Sequence, residues 1–333
     1  MLDVSEANAG GATPAAGARA RAGIGPRLMA FTGWVLIASG LFALALAATV
    51  NLLPHDVAYL GMSHARLCTY HGCRVARFMA HDRVAFGGVI IAIGILYHWL
   101  ARGPLRRGQA WAWWAVFLSG LVGFASFLTY LGYGYLDVWH GRATLALLPF
   151  FAAGLALSFR DVRVPPRGPR SLLMPGERAA WRSRLGAGRA CLLFTALGMM
   201  AGGVIILAVG LTQVFVPQDL EFMGVRPGEL HAISPRLVPL IAHDRTGFGG
   251  GLLSAGIAIL CCAWCAVRRG DRGLWWALLA AGGVGFAAAL GVHFLIGYTS
   301  FSHLAPAYAG AAAFVAGIAL LARPMRSRPT TAR

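Results

Sequence analysis

The sequence predicts an all-α polytopic membrane protein: eight transmembrane helices arranged as two tandem four-helix bundles, the second a parallel copy of the first. Two observations carry that expectation. Apolar residues make up 58% of the 333-residue chain and charged residues only 12%, with a mean hydropathy of +0.65. A water-soluble chain of this length would need more charge to cover its surface. The second observation is an internal repeat. Ala80-His81-Asp82-Arg83, followed by Phe86-Gly87-Gly88, returns as Ala242-His243-Asp244-Arg245, followed by Phe248-Gly249-Gly250. Upstream, Pro54, Asp56 and Gly61 match Pro217, Asp219 and Gly224. Downstream, Val122-Gly123-Phe124-Ala125 matches Val284-Gly285-Phe286-Ala287, and Gly134-Tyr135 with His140 matches Gly297-Tyr298 with His303. The matches hold an offset of 162 or 163 residues throughout. Chance does not keep register that long, so the reading is a duplication.

Eight apolar stretches are long enough to cross a hydrocarbon core about 30 Å thick. They run over 33–53, 84–101, 111–131, 141–159, 190–215, 246–266, 274–296 and 304–322. They fall into a first repeat over 31–160 and a second over 190–323. Residues 1–30 are rich in Ala and Gly without apolar periodicity and are expected to be a disordered N-terminus. The linker 161–189 contains Val164-Pro165-Pro166-Arg167-Gly168-Pro169, which cannot be helical throughout, and 324–333 forms a tail. Helix 1 has a counterpart in helix 5, which argues for a retained span rather than a cleaved signal peptide. Each half carries one long loop, 54–80 and 216–242, on the same side of the membrane.

The net charge of +17 rests on 29 arginines against twelve acids, with no lysine. The side shared by the termini and the linker holds 21 arginines against five acids, a net +16. The other side holds eight against seven, a net +1. That imbalance is a topology signal rather than a nucleic-acid footprint. It predicts a cell-membrane protein with both termini and the linker in the cytoplasm, and anionic lipid as an incidental contact. The long loops then face the extracytoplasmic side, where elaborated loops place the working surface. In that oxidising compartment Cys68 and Cys73 are expected to form a short-loop disulfide, the alternative being two free thiols. Cys261, Cys262 and Cys265, near the other end of helix 6, read as packing residues.

The candidate chemistry lies in four matched histidines. His81 and His243 open helices 2 and 6, and His140 and His303 open helices 4 and 8. Imidazole is the commonest metal ligand and a usual axial ligand of haem iron, and facing helices of a bundle are where such sites are built. Small residues lie below the first pair on the same helix faces: Ala85, Gly88 and Ala92 under His81, and Gly247, Gly250 and Ser254 under His243. Such a furrow admits either a flat macrocycle such as haem b or a neighbouring helix. Arg83 and Arg245 carry the fork that holds a propionate, the plainer reading being a local pair with Asp82 or Asp244. Pro54-x-Asp56 and Pro217-x-Asp219 read as helix-ending turns. The second half reads as the more open one. Ala307 and Gly310 stand below His303 where Thr144 and Leu147 stand below His140, while Phe314 and Phe151 are alike. It also adds His293 near the end of helix 7, so a bulky cofactor is expected to favour that half. His55, His64, His71, His98 and His231 have no matched partner.

Eight helices in tandem bundles, with histidines near one face of helices 2, 4, 6 and 8, resemble heme A synthase. The spacings of 59 residues from His81 to His140 and 60 from His243 to His303 suit that layout. The cysteine pair in the first long loop is also similar to many members. The resemblance covers the eight-helix core, and it implies haem ligation by His81 with His140 and by His243 with His303. The motif departs from the family. Members carry a glutamate shortly before the helix-2 histidine and an arginine directly after it. Here Arg77-Phe78-Met79-Ala80 holds no acid, and Asp82 stands between His81 and Arg83.

The leading expectation is a membrane protein whose histidine pairs bind haem b or another metal near the extracytoplasmic face. Its role would be electron transfer or haem and oxidase assembly, including haem-dependent oxidoreductase activity. Its partners would be the lipid bilayer and a quinone or membrane redox protein. The alternative is a non-metal module, a passive small-molecule permease or an assembly scaffold. No acid falls within a predicted span core, which speaks against a transporter coupled through buried carboxylates. No phosphate-binding or dinucleotide fingerprint is present. Reporter fusions or cysteine labelling are expected to place both termini and residues 161–189 in the cytoplasm, and a linker labelled from outside would overturn the orientation.

Overall fold

The computed structural model describes residues 23–49, 52–126, 128, 135, 138–163, 165 and 168–327, without the side chain of Pro227. The expected disorder of the N-terminus therefore falls largely, and the tail mostly, outside the described residues, as do Gly134 and parts of the proline-rich linker. The architecture is all-α. In chain order the helices are α1 (Ile24–Thr49), α2 (Pro54–Leu60), α3 (His64–Leu67), α4 (Arg74–Leu100), α5 (Ala110–Ala125) and α6 (Val138–Arg160). They continue as α7 (Arg184–Leu211), α8 (Pro217–Met223), α9 (Pro227–Ile233), α10 (Leu237–Cys265), α11 (Arg272–Ile296) and α12 (Phe301–Arg326). Among the described residues seven helices are long and apolar enough to cross a membrane: α1, α4, α6, α7, α10, α11 and α12. The chain is a polytopic helical membrane protein. At sixteen residues α5 spans about 24 Å.

Local chemistry sets the helix ends. Ser183 Oγ accepts from Gly186 N at 3.1 Å to start α7, and Asp271 Oδ1 accepts from Leu274 N at 3.0 Å to start α11. Pro54 and Pro217 occupy the first position of α2 and α8, where the missing N–H costs nothing. Gly61 and Gly224 end those helices at φ +68° and +69°, a conformation that favours glycine. The two Pro-x-Asp motifs therefore begin short helices rather than end long ones.

α4 and α10 sit at the centre. In them 67% and 72% of the apolar window is buried, against 22–28% in the other five long helices. α4 packs on α1, α11 and α10, whereas α10 packs on α7, α5 and α4. Each central helix thus leans on a helix from the other half of the sequence, and the halves interleave instead of standing apart as separate bundles. The furrows explain why. A Cβ on Gly88 would lie 2.4 Å from Ala288 Cβ of α11, and one on Gly250 would lie 2.2 Å from Ser126 Cβ beside α5. Neighbouring helices fill the space that a macrocycle would need. The shared Phe151 and Phe314 lie against Gly120 and Gly282 instead of flooring a pocket under the histidines. Deeper in the core, Tyr97 donates to Ser119 Oγ at 3.0 Å and Ser254 Oγ donates to Ser119 O at 2.8 Å, tying α4, α5 and α10 together.

The central helices also begin earlier than the apolar runs predict. At 27 and 29 residues they are about 40 and 44 Å long, longer than a hydrocarbon core of about 30 Å. Their excess first turns carry the repeated Ala-His-Asp-Arg block, with α2, α3, α8 and α9 gathered there over a second apolar cluster that includes Phe78, Met223, Leu230 and Tyr298. A hydropathy scan reads the charged block as loop because it cannot see the partners that neutralise it.

Close crossings make the fold sensitive to bulk at chosen glycines. A Cβ on Gly203 of α7 would meet Leu253 N at 2.5 Å and Gly249 O at 2.8 Å, whereas one on Gly198, an exposed position on the same helix, meets nothing within 4 Å. Gly203→Leu is expected to cost about 1–3 kcal/mol or more, read as a lowered melting temperature of the purified protein in detergent. Gly198→Leu should leave it unchanged.

Candidate metal centre

The repeated block folds into two buried ion-pair clusters that cross between the halves. Arg83 on α4 donates from Nη1 to Asp56 Oδ2 at 2.7 Å and from Nε to Asp244 Oδ2 at 2.7 Å. Arg245 on α10 donates from Nη1 to Asp219 and to Val214 O at 2.9 Å, and its Nε lies 3.5 Å from Asp82 Oδ2. Each arginine therefore binds the acid opening a short helix in its own half and the acid beside the arginine of the other half. Both guanidiniums are engaged by protein carboxylates. Asp56, Asp82, Asp219 and Asp244, all outside the predicted span cores, are buried.

Two tyrosines complete the clusters. Tyr135 donates to Asp56 Oδ1 at 2.6 Å and Tyr298 donates to Asp219 Oδ1 at 2.8 Å. Leu53 N and Val216 N donate to the other oxygens, at 3.1 and 2.8 Å. Burial pushes the Asp56 carboxyl up, but the Arg83 charge, with hydrogen bonds from Arg83, Tyr135 and Leu53, holds it below its ordinary 3.8. Burial and the neighbouring Asp219 push the Tyr298 phenol up, so it stays a hydrogen-bond donor. The sequence shows these acids and tyrosines as recurring residues, and that recurrence is the signal of their role.

The histidines group across the halves as well. His81 meets His293 and His303, whose ligand nitrogens all lie within 4.8 Å of one another. His243 meets His140, with Nε2 to Nδ1 at 3.4 Å and the rings stacked at 5.7 Å. The pairing His81 with His140 and His243 with His303 is not what the fold makes, because α4 turns toward α11 rather than toward α6. His293, without a match in the first half, turns out to be central. His64 lies near Cys68 and Cys73, but these sulfurs are joined in a disulfide and offer no thiolate.

In the triad each ring has a polar neighbour near Nδ1, and for His293 and His303 it is in hydrogen-bond geometry. His81 Nδ1 lies 3.2 Å from Asp82 Oδ1, His293 Nδ1 2.6 Å from Ala289 O, and His303 Nδ1 3.2 Å from the Tyr298 hydroxyl. The Ala289 carbonyl fixes the proton of His293 on Nδ1, and the Tyr298 oxygen, already donating to Asp219, does the same for His303, whereas His81 Nδ1 is close to Asp82 without hydrogen-bond geometry. The Nε2 lone pairs are left for a ligand. His293 Nε2 and His303 Nε2 face each other at 3.2 Å, a repulsive approach for two acceptors. A tetrahedral ion with nitrogens at 2.0–2.1 Å separates its ligands by about 3.3 Å. The arrangement is that of a three-histidine ion site whose ligands are oriented by outer partners, as in metal centres generally.

Comparison with protein-family models, with curated proteins and with solved structures gives no match. The geometry itself is testable through its charges. Arg83→Gln strands the buried Asp56 and Asp244 and is expected to destabilise the protein by about 3–5 kcal/mol, much of it recovered when Asp244→Asn is added. Because Asp56 titrates below 3.8 in the folded protein, its contribution is complete above that pH and fades as pH falls through the lowered value. Thermal melts of the three proteins across acidic pH check both statements, and equal melting of Arg83→Gln and the native chain would refute them.

Proposed function

We propose that this chain is a membrane metalloprotein in which His81, His293 and His303 hold one first-row transition-metal ion. The observation that supports it best is the convergence of three oriented imidazoles within 4.8 Å. Three protein ligands leave a fourth position open, the arrangement of a catalytic or electron-transfer centre rather than a closed structural one. Bound there, the ion would supply Lewis acidity or a one-electron couple. The chain's own residues orient and insulate it: Ala289 and Tyr298 hold the His293 and His303 rings in one tautomer, Asp82 places its charge beside His81 and Arg245, and Phe78 covers the guanidinium at 5.0 Å. His140 and His243 make a poorer, two-histidine counterpart.

The proposal extends to placement and role. Eight crossings, as two related sets of four with α5 among them, set the site at the extracytoplasmic face by the arginine imbalance. The role is redox chemistry or a cofactor-assembly step, with a quinone or membrane redox protein as partner. The eight-helix layout with paired histidines resembles heme A synthase. Haem b fits this packing less well than a bare ion. Nitrogens on either side of a metal with bonds near 2.0 Å stand about 4 Å apart, the facing nitrogens here are 3.4 and 3.2 Å apart, and helices occupy the furrows.

Elemental analysis of protein purified without chelator is expected to give about one metal ion per chain, from the triad of. Cobalt(II) added to stripped protein should give visible bands that His293→Ala and His303→Ala abolish and His140→Ala retains. Tyr298→Phe, which removes an outer partner, should weaken binding by roughly 10–100-fold. A Soret band would replace the ion with haem, and no metal or pigment under any loading would leave the permease or scaffold reading.

A further inference from the structure

Five arginines converge at the end of the molecule opposite the histidines. Arg184 opens α7, Arg269 and Arg272 flank the turn into α11, and Arg323 and Arg326 close α12. Together they line a groove of about 770 Å³ that no acid lines. Among the described residues only Arg269 of the five has a carboxylate partner, Glu177. The nearby Asp271 is taken up by Arg268 at 3.4 Å and by the amide of Leu274. Among the described residues four guanidiniums therefore line one groove without a carboxylate partner, an arrangement that suits an anion bringing several oxygens. The groove is also built. Arg326 lies over the rings of Trp275 and Trp276 at 5.0 and 5.7 Å, and Trp275 Nε1 is anchored on Ile318 O at 3.0 Å. The N-termini of α7 and α11 both open here and add partial positive charge.

We propose that this groove binds the phosphate of an anionic phospholipid headgroup. The position selects lipid over a soluble anion. Four of the arginines occupy the terminal turns of three helices long enough to cross a membrane, and the exposed Trp276 beside them is the residue type that sits at headgroup level. Guanidinium forks match phosphate oxygens bidentately. The site is independent of the histidine centre and of its metal.

The test uses the full-length protein in nanodiscs of phosphatidylcholine with a minor fraction of phosphatidylglycerol, followed by release into detergent and native mass spectrometry. Phosphatidylglycerol is expected to stay bound in preference to phosphatidylcholine. At about fivefold per arginine near the surface, Arg272→Gln with Arg323→Gln should lower its retention roughly 25-fold. The matching pair of Lys substitutions should keep most of it, and Arg106→Gln, outside the groove, should keep all of it. Should the double Gln variant fail to fold, Arg184→Gln and Arg326→Gln are each expected to show the single fivefold loss. Equal retention of the two lipids, or undiminished retention in the Gln variants, overturns the proposal. Displacement by millimolar inorganic phosphate would assign the groove to a free anion and overturn the lipid reading.

Discussion

The crossed arginine clusters are the constraint on which the rest of the structure depends. Arg83 joins Asp56 to Asp244, and Arg245 joins Asp219 to Asp82, so each cation holds one acid from either half. Charges this far from water are tolerable only when paired and hydrogen-bonded, and removing one partner leaves another stranded. Neither half can satisfy its own cluster. The first half supplies two acids and one arginine, yet one of those acids belongs to the other arginine. The two halves are obligatory partners at this end, and the clusters fix how deep and at what rotation α4 and α10 lie against one another.

Small residues make that approach possible along the rest of the central helices. Gly40 faces Gly87 and Gly203 faces Gly249, with virtual Cβ atoms under 3.3 Å from the opposing backbone. Without apolar desolvation to drive helix association inside lipid, such contact and the Ser119–Ser254 hydrogen bonds hold the interior. α11 and α5 then close over the outer sides of α4 and α10. Once α11 lies on α4, its last turns carry His293 to His81, and the short connection into α12 carries His303 to both. The convergence of the three histidines is a consequence of helix packing set by glycine.

The clusters and the histidines are one chemical unit. Asp82 lies between Arg245 and His81, within ion-pair distance of both, and Tyr298 links Asp219 to His303. Four carboxylates share two guanidiniums, which leaves the assembly rich in negative charge beside three imidazole lone pairs. A cation at the triad answers that imbalance. At the far end the charge is reversed, with arginines lining a groove that no acid lines among the described residues, so the molecule has an acid-rich, histidine-bearing end and a cationic one.

The sequence by itself determined the class of the protein and the inventory of its site. Apolar runs identify membrane helices because the bilayer rewards the same composition wherever the helix sits, and recurrence of Asp56, His81, Arg83, Tyr135 and His140 in the second half marks the residues that matter. What it did not determine is who meets whom. Repeat spacing suggested that each half closes on itself, pairing His81 with His140, because spacing along the chain is blind to contacts between copies. Tertiary packing decided otherwise: the furrow under His81 that reads equally as room for a macrocycle or for a helix is filled by Ala288 and its neighbours. It likewise turned Asp56 and Asp219 from turn residues into buried counter-ions and brought in His293, which has no counterpart. The physical reason is that a small-residue stripe and a lone charge are both incomplete surfaces, and only the three-dimensional neighbour says what completes them.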